Sequence, residues 1–317
     1  MNMKASIVAV APLALIFAGP LLAVDPQLLN LVMPDAKMMA GVNVDQAKAS
    51  PFGTYVLVQI QSQNQDLQKL STLTGFDPTR DLDELLIASN GTPPKPSSLV
   101  LARGTFDAAK IQAAALGGGA TTQTYGGTTL VLDPKGNNGF AFLNGTIAVA
   151  GDIASVKAAL DRQTAPSTID PALLVQVNQL STTEDAWGIS EVPPPVTPPA
   201  NAPNAQQIPL NVLQKITQTS GGVKFADPIV ATANAQTATA SDATSIAGVL
   251  QLLANLGQMQ AQQNPQAAAI LKSLVVTSNG NTVQISLSIP EAQAEAAFQT
   301  KPNANAQPNS RRPGRRL

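Results

Sequence analysis

The chain contains no cysteine and no histidine. Without cysteine it has neither a thiolate nucleophile nor a disulfide, so the fold must be stabilised by packing alone. Without histidine it cannot form a Ser-His-Asp triad or an imidazole proton shuttle, and it lacks the usual zinc and copper ligand sets. These two absences remove the commonest catalytic and metal-binding groups.

Charged and aromatic side chains are also scarce. Charged residues make up 12% of the sequence, about half of the roughly 25% in an average soluble protein. Aromatic residues make up 3% and the formal net charge is −1. The chain therefore has few stacking platforms for sugars or bases and no strong field for phosphate groups, which disfavours nucleic-acid binding.

Size and hydrophobicity nevertheless indicate a folded protein. The 317 residues are 44% hydrophobic, enough to bury a sizeable core. One large domain or two domains of ordinary size both fit this length.

The first 23 residues have the pattern of a secretory signal peptide. A short positive region, Met1–Lys4, precedes the apolar run Ala5–Ala18, which ends at Gly19-Pro20, and Ala23 provides a small residue for cleavage. We therefore expect a mature chain that begins near Val24 and is periplasmic or secreted.

An uncleaved membrane anchor is the alternative for this segment. Residues 5–23 approach the roughly 20 residues that a helix needs to span a bilayer. The protein would then be a membrane-anchored accessory protein. No cysteine follows the apolar run, which excludes a lipidated anchor, and no later segment has the length and apolarity of a span.

Alternation, helical periodicity and turn residues predict an α+β chain. The first half, residues 24–165, is predicted to contain, in order, strand Lys37–Val44, a helix from Ser50-Pro51, helix Leu67–Leu73, strands Leu85–Ser89 and Ser98–Arg103, helix Asp107–Leu116, strands Thr128–Leu132, Gly139–Leu143 and Thr146–Ala150, and a helix from Asp152 to Leu160.

The second half, residues 166–299, is predicted to repeat this order. Its predicted elements are strand Ala186–Val192, helix Leu210–Thr219, strands Gly222–Phe225 and Ile229–Ala238, helix Ser241–Gln263, strands Ser273–Ser278 and Thr282–Ile289, and a helix from Pro290.

Two landmarks recur at one spacing. Asp107 corresponds to Asp242 and Asn144-Gly145 to Asn279-Gly280, in both cases 135 residues later. We expect two tandem copies of one unit, each an antiparallel sheet backed by helices on one face.

Two segments differ from this repeat. The proline-rich insertion, residues 192–209, is typical of a semi-rigid surface loop. The tail, residues 300–317, is rich in Pro, Asn and Ala and carries Arg311, Arg312, Arg315 and Arg316, a composition that predicts disorder. Such a basic tail suits contact with anionic envelope lipid or polysaccharide, or with the acidic body of the protein itself. A solvated terminus without a role is the commoner alternative.

One cluster of carboxylates is a weak candidate for a metal site. Asp77, Asp81, Asp83 and Glu84 lie within nine residues, and hard cations such as calcium bind oxygen ligands of this kind. The spacing lacks the glycine and the distal glutamate of a calcium loop, so a turn and a helix cap explain the cluster more simply. No glycine-rich motif has the spacing of a phosphate loop, and no cofactor is predicted.

The opening of the mature chain resembles a group of bacterial proteins. Residues 31–45, LVMPDAKMMAGVNVD, followed by Ser50-Pro51-Phe52-Gly53, look like the start of uncharacterised exported proteins of soil bacteria such as acidobacteria. The resemblance covers about the first fifth of the mature chain. It implies an exported bacterial protein and supplies no site residues.

Three functions are consistent with the sequence. The first is a non-catalytic exported protein that serves as an interaction or structural module of the bacterial envelope. The second is a hydrolase-type enzyme that uses carboxylate or hydroxyl chemistry, with residues 77–84 as the place to look. A deep cleft with two convergent carboxylates of perturbed pKa would favour the enzyme. The third is the membrane-anchored accessory protein.

Overall fold

The computed structural model describes residues 23–91, 96–192, 210–261 and 265–299. The helices in these ranges are α1 Pro26–Leu31, α2 Val44–Lys48, α3 Pro51–Gln63, α4 Gln65–Thr74, α5 Pro78–Asp81, α6 Ala108–Gly117, α7 Ile153–Asp161, α8 Pro171–Thr183, a 3₁₀ helix Leu210–Lys215, α9 Ala240–Gln260, α10 Pro265–Lys272 and α11 Glu291–Gln299. The strands are β1 Met38–Asn43, β2 Leu82–Ser89, β3 Ser98–Gly104, β4 Thr121–Tyr125, β5 Thr128–Leu132, β6 Asn138–Leu143, β7 Ile147–Asp152, β8 Ala186–Ser190, β9 Ile216–Lys224, β10 Ile229–Thr237, β11 Val275–Asn279 and β12 Thr282–Ile289.

The strands form one antiparallel sheet in the order β11-β12-β10-β9-β8-β1-β2-β3-β7-β6-β5-β4. The expected α+β class is therefore confirmed, but the two halves do not have separate sheets. Their first strands, β1 and β8, pair in antiparallel register from Met38 with Ser190 to Val42 with Ala186. An unpaired edge strand exposes backbone groups that can pair with another strand. The pairing of β1 with β8 satisfies these groups on the facing edges of the two halves.

Helices cover both faces of the sheet, which corrects the expectation of helices on one face. Since successive residues of a strand point to opposite faces, Met39, Leu86 and Trp187 lie on one face, which we call the core face. Helices α1, α7 and α8 contribute buried residues to the same hydrophobic cluster as these three side chains.

The opposite face, on which Ala40 and Ala233 lie, is called the trough face below. Near one end of the sheet, α9 buries Ile246 against Ala235 and Val283. Phe52 of α3 packs with Ile229 of β10 and with α11. The apolar sides of the helices are therefore buried against both faces of the sheet.

The start of the described chain belongs to the centre of the core. Asp25 caps α1 by accepting a hydrogen bond from the Gln27 amide, and Pro26 follows at a first-turn position. Helix α1 then buries Leu28, Leu29 and Leu31. Helix α1 is not predicted from the sequence, because six residues are too few to show helical periodicity.

Most predicted elements are confirmed, with caps where the sequence placed them. Ser50 caps α3, Asp107 caps α6 and Asp152 caps α7 through side-chain acceptors. Gly75 ends α4 in the left-handed conformation, with φ 74°. The predicted helix Leu210–Thr219 is wrong beyond Lys215, where the chain enters β9. Helices α1, α2, α5, α8 and α10 and strand β4 were not predicted.

Several predictions fall outside the described residues. These are the signal peptide over residues 1–22, most of the proline-rich insertion and the basic tail. Among the helices that the structure does describe, none has both the length and the apolarity for a bilayer span.

We expect Leu28→Ala to lower the free energy of unfolding by about 2 to 5 kcal/mol, because Leu28 is fully buried and its truncation leaves a cavity. Urea denaturation followed by circular dichroism measures this change. The matched control is Leu73→Ala in α4, where the side chain is 68% exposed and little change is expected. Equal losses in the two variants would contradict the assignment of α1 to the core.

Candidate functional site

A cavity of about 670 Å³ lies on the trough face, in the middle of the sheet. We call it the trough. Strands β1, β8, β9 and β10 form its floor. Its walls come from Leu213 of the 3₁₀ helix, Ile216 at the beginning of β9 and Leu250 of α9. The residues that line it include Met38, Ala40, Ile87, Gly188, Gly221, Ala233, Ile285, Leu213, Ile216 and Leu250.

The floor is a row of small residues that match across four strands. Ala40 pairs with Gly188, Gly188 with Gly221, and Gly221 with Ala233. Ile87 and Ile285 continue the row at its two ends. Four small residues between two large ones leave an empty space whose length is set by the strand spacing of about 4.8 Å.

The two glycines of this row have different steric environments. A Cβ atom added at Gly221 would lie 2.1 Å from the backbone oxygen of Thr232, so this position excludes every other residue. A Cβ atom at Gly188 would meet no atom closer than 3.8 Å. Gly188 therefore leaves open space that a larger side chain would fill.

Helix α9 fixes one wall of the trough. The Thr239 side chain caps this helix by accepting from the Asp242 amide, and Lys215 forms an ion pair with Asp242. Ile246 is fully buried, and Leu250 follows one turn later and reaches the trough. The cap and the ion pair thus fix the start of the helix that places Leu250.

The trough has the chemistry of a site for a neutral apolar molecule. None of the described residues that line it carries a charge. The hydroxyl groups of Ser89 and Ser190, which lie at one side, donate to the backbone oxygens of Ser97 and Val192 at 2.9 and 3.1 Å. Its volume lies within the range of about 300 to 1,000 Å³ that is typical of small-molecule sites.

The carboxylates predicted as metal candidates lie elsewhere and have separate structural roles. Asp77 caps α5 by accepting from the Thr79 amide at 2.9 Å. Asp81 accepts from Arg80 at 2.6 and 2.7 Å, and these hydrogen bonds lower the pKa of its carboxyl group. The first two candidates therefore act as a helix cap and an ion-pair partner.

Asp83 and Glu84 are consecutive in β2, at an irregularity in its register with β3. Asp45 and Lys48 are charged neighbours of Asp83, whereas Asp25 is a charged neighbour of Glu84. Burial raises the pKa of both carboxyl groups. Within the described chain, no three acidic side chains come together as ligands for a metal ion. The four carboxylates of the sequence cluster therefore do not form one site.

Glu84 lies in a polar cluster that the sequence analysis did not find. Its carboxylate accepts from the Asp25 amide at 3.2 and 3.4 Å. Arg103, its neighbour on β3, forms an ion pair with the Asp25 side chain. The only signal in the sequence was Asp25-Pro26 as a helix start. Desolvation raises the pKa of Glu84 to about 7, with a smaller contribution from the negative charge of Asp25.

This raised pKa predicts that stability falls as the pH rises, in a chain that retains residues before Val24. An unfolded glutamate ionises near pH 4.3, so between about pH 4.5 and 7 the folded state binds more protons than the unfolded state. The free energy of unfolding should therefore fall by about 1 to 3 kcal/mol across this window and level off above it.

Urea denaturation at several pH values measures this slope in the wild-type chain and in Glu84→Gln. The variant cannot ionise at residue 84, and we expect it to lose most of the slope. Asp66→Asn is the control, because the Asp66 side chain is 95% exposed. A slope that is the same in all three proteins would rule out Glu84 as its source.

Comparisons with known proteins identify a fold but no family. No family model and no curated protein matches the chain. Crystal form III of the protein TP0453 aligns with 88% of this chain and 99% of its own, with a TM-score of 0.55 and 11% sequence identity. Crystal form IV of the same protein aligns over 88% and 98%, with a TM-score of 0.50 and 10% identity. The chain is therefore similar to TP0453 in fold.

Proposed function

We propose that this protein is an exported, non-catalytic component of the bacterial envelope that binds a neutral apolar small molecule in the trough. The observation that carries the proposal is the row Ala40-Gly188-Gly221-Ala233, which forms a cavity floor without charged groups. Export is supported by the signal-like segment before Val24 and by the resemblance of residues 31–53 to exported proteins.

The binding energy would come from apolar contact. Burying apolar ligand surface contributes roughly 25 cal/mol for each Å² removed from water. Ile87 and Ile285 at the ends and Leu213 and Leu250 in the walls provide the contact surface. The trough is elongated, because it follows the row Ala40-Gly188-Gly221-Ala233 and ends at Ile87 and Ile285. An elongated hydrocarbon, such as an acyl or isoprenoid chain, matches this shape.

The alternative of a hydrolase receives less support. Such an enzyme would need two carboxylates that converge in a cleft. The acidic candidates Asp77, Asp81, Asp83 and Glu84 are absent from the trough lining, and Glu84 lies on the face opposite the trough. A membrane-anchored form depends on retention of residues 1–23 and is compatible with the same ligand site.

We also infer that the two halves descend from one duplicated unit. The order β1-β2-β3-β7-β6 on one side of the central pair corresponds to β8-β9-β10-β12-β11 on the other. Helix α6 follows β3 as α9 follows β10. The first half has the additional hairpin β4–β5, and α7 and α11 cover opposite faces. These differences represent divergence after duplication.

Titration with N-phenyl-1-naphthylamine, an uncharged dye whose fluorescence rises in apolar surroundings, tests the ligand site. We expect wild-type protein to bind the dye and Gly188→Leu to weaken binding by roughly tenfold or more, a loss of about 1.4 kcal/mol. A Cβ atom at residue 188 meets no atom closer than 3.8 Å, so the leucine side chain would occupy space that is open in the wild-type protein.

Two further variants control this experiment. Ala233→Leu fills the other side of the same floor and should weaken binding to a similar extent. Thr277→Leu adds the same side chain at an exposed position of the edge strand β11, outside the trough, and should leave binding unchanged. Absence of dye binding to the wild-type protein, or equal binding to all four proteins, would refute the trough as the site.

A further inference from the structure

The predicted cleavage point lies between an exposed residue and a buried one. The Ala23 side chain is exposed, whereas Val24 is 3% exposed and belongs to the main hydrophobic cluster. Cleavage after Ala23 would therefore leave a mature chain whose first residue is buried. An unprotected chain end in the core requires partners for its amino group.

Two side chains already hold the first two backbone nitrogens of this mature chain. The Val24 amide donates to Ser181 Oγ at 3.3 Å, and Ser181 is 4% exposed. The Ser181 hydroxyl donates to the Asn178 backbone oxygen at 3.2 Å, so its lone pairs are available to Val24. The Asp25 amide donates to the Glu84 carboxylate.

The charges around this point do not balance while residues precede Val24. Asp25 and Glu84 are both acidic, and the cation that faces them is Arg103. Arg103 forms an ion pair with Asp25 and donates to Gln27 Oε1 at 2.9 Å. Within the part of the chain that the structure describes, Glu84 has no ion-pair partner of its own.

We propose that hydrolysis of the Ala23–Val24 peptide bond creates an ion pair between the new α-ammonium group of Val24 and the carboxylate of Glu84, with Ser181 as a second acceptor. Water supplies the hydroxyl group that the Ala23 carbonyl carbon gains, and the Val24 nitrogen becomes a protonated amine. When Glu84 is ionised, Asp25, Glu84 and Arg103 together carry a charge of −1, and the added α-ammonium group of Val24 brings the local charge to 0.

The distances allow this pair. The Asp25 nitrogen lies 3.2 Å from Glu84 Oε2, and consecutive backbone nitrogens are separated by less than about 3.8 Å. The Val24 nitrogen is therefore within roughly 7 Å of the carboxylate before any adjustment, and removal of Ala23 frees the amine to turn. The new ion pair would thus stabilise the position of helix α1 in the core.

The α-amino pKa of Val24 gives a direct test. Mature protein that starts at Val24 is released from an amino-terminal fusion by a protease that leaves no additional residue. Its α-amine is labelled by reductive methylation with ¹³C-formaldehyde and titrated by NMR. An ordinary α-amine has a pKa of about 7.7 to 8.0, and we expect a rise of at least roughly one unit, or tenfold in the protonation constant.

Two comparisons assign the rise to Glu84. In Glu84→Gln the α-amino pKa of Val24 should return to about 8 or fall below it, since the buried amine loses its anion. In a chain with Gly-Ala before Val24 the amine lies outside the fold, so its pKa should be ordinary and insensitive to Glu84→Gln. The fall in stability between about pH 4.5 and 7 that is expected for a chain with residues before Val24 should disappear in the chain that begins at Val24.

Two results would overturn the proposal. One is an ordinary α-amino pKa in the folded Val24 chain, which the wild-type chain alone decides even where Glu84→Gln does not fold. The other is an intact mass of the exported protein that places its first residue elsewhere. The proposal rests on the predicted processing and not on the ligand site, so dye binding by the trough is independent of either result.

Discussion

The antiparallel pairing of β1 with β8 is the contact on which the rest of the structure depends. It joins two half-sheets into one surface of twelve strands. It also places Ala40 next to Gly188 on the trough face and Met39 next to Ile189 on the core face. One set of backbone hydrogen bonds therefore determines both the continuous core and the position of the cavity.

The two faces of this pair differ because of side-chain size. On the core face, Met39, Trp187 and Ile189 fill the space under α8 and complete one hydrophobic cluster. On the trough face, alanine and glycine occupy the equivalent positions. Since protein interiors are close-packed, small residues on a covered face leave a space unless a neighbouring side chain fills it. The trough is the part of that face that α9 does not fill.

The segment that begins at Val24 illustrates how a short stretch of chain can contribute to a large fold. Helix α1 has only six residues, and such a helix is not stable by itself in water. Its leucines lie between the sheet and helices α7 and α8, and Asp25 is tied to Arg103 on β3. Tertiary contacts thus stabilise this helix, and the same contacts bring Ser181 and Glu84 to the backbone nitrogens of Val24 and Asp25.

The sequence by itself determined the local elements and their order. Helix caps at Ser50, Asp107 and Asp152 and the Asn-Gly turns act through hydrogen bonds or backbone angles within a few residues, so they can be read from the chain. The α+β class follows from that order. The pairing of β1 with β8 depends on residues about 150 positions apart, and no local pattern specifies it. Only the tertiary structure therefore decided that Ala40, Gly188, Gly221 and Ala233 form one floor. It likewise decided that Glu84, rather than the whole acidic cluster, contacts the Asp25 amide.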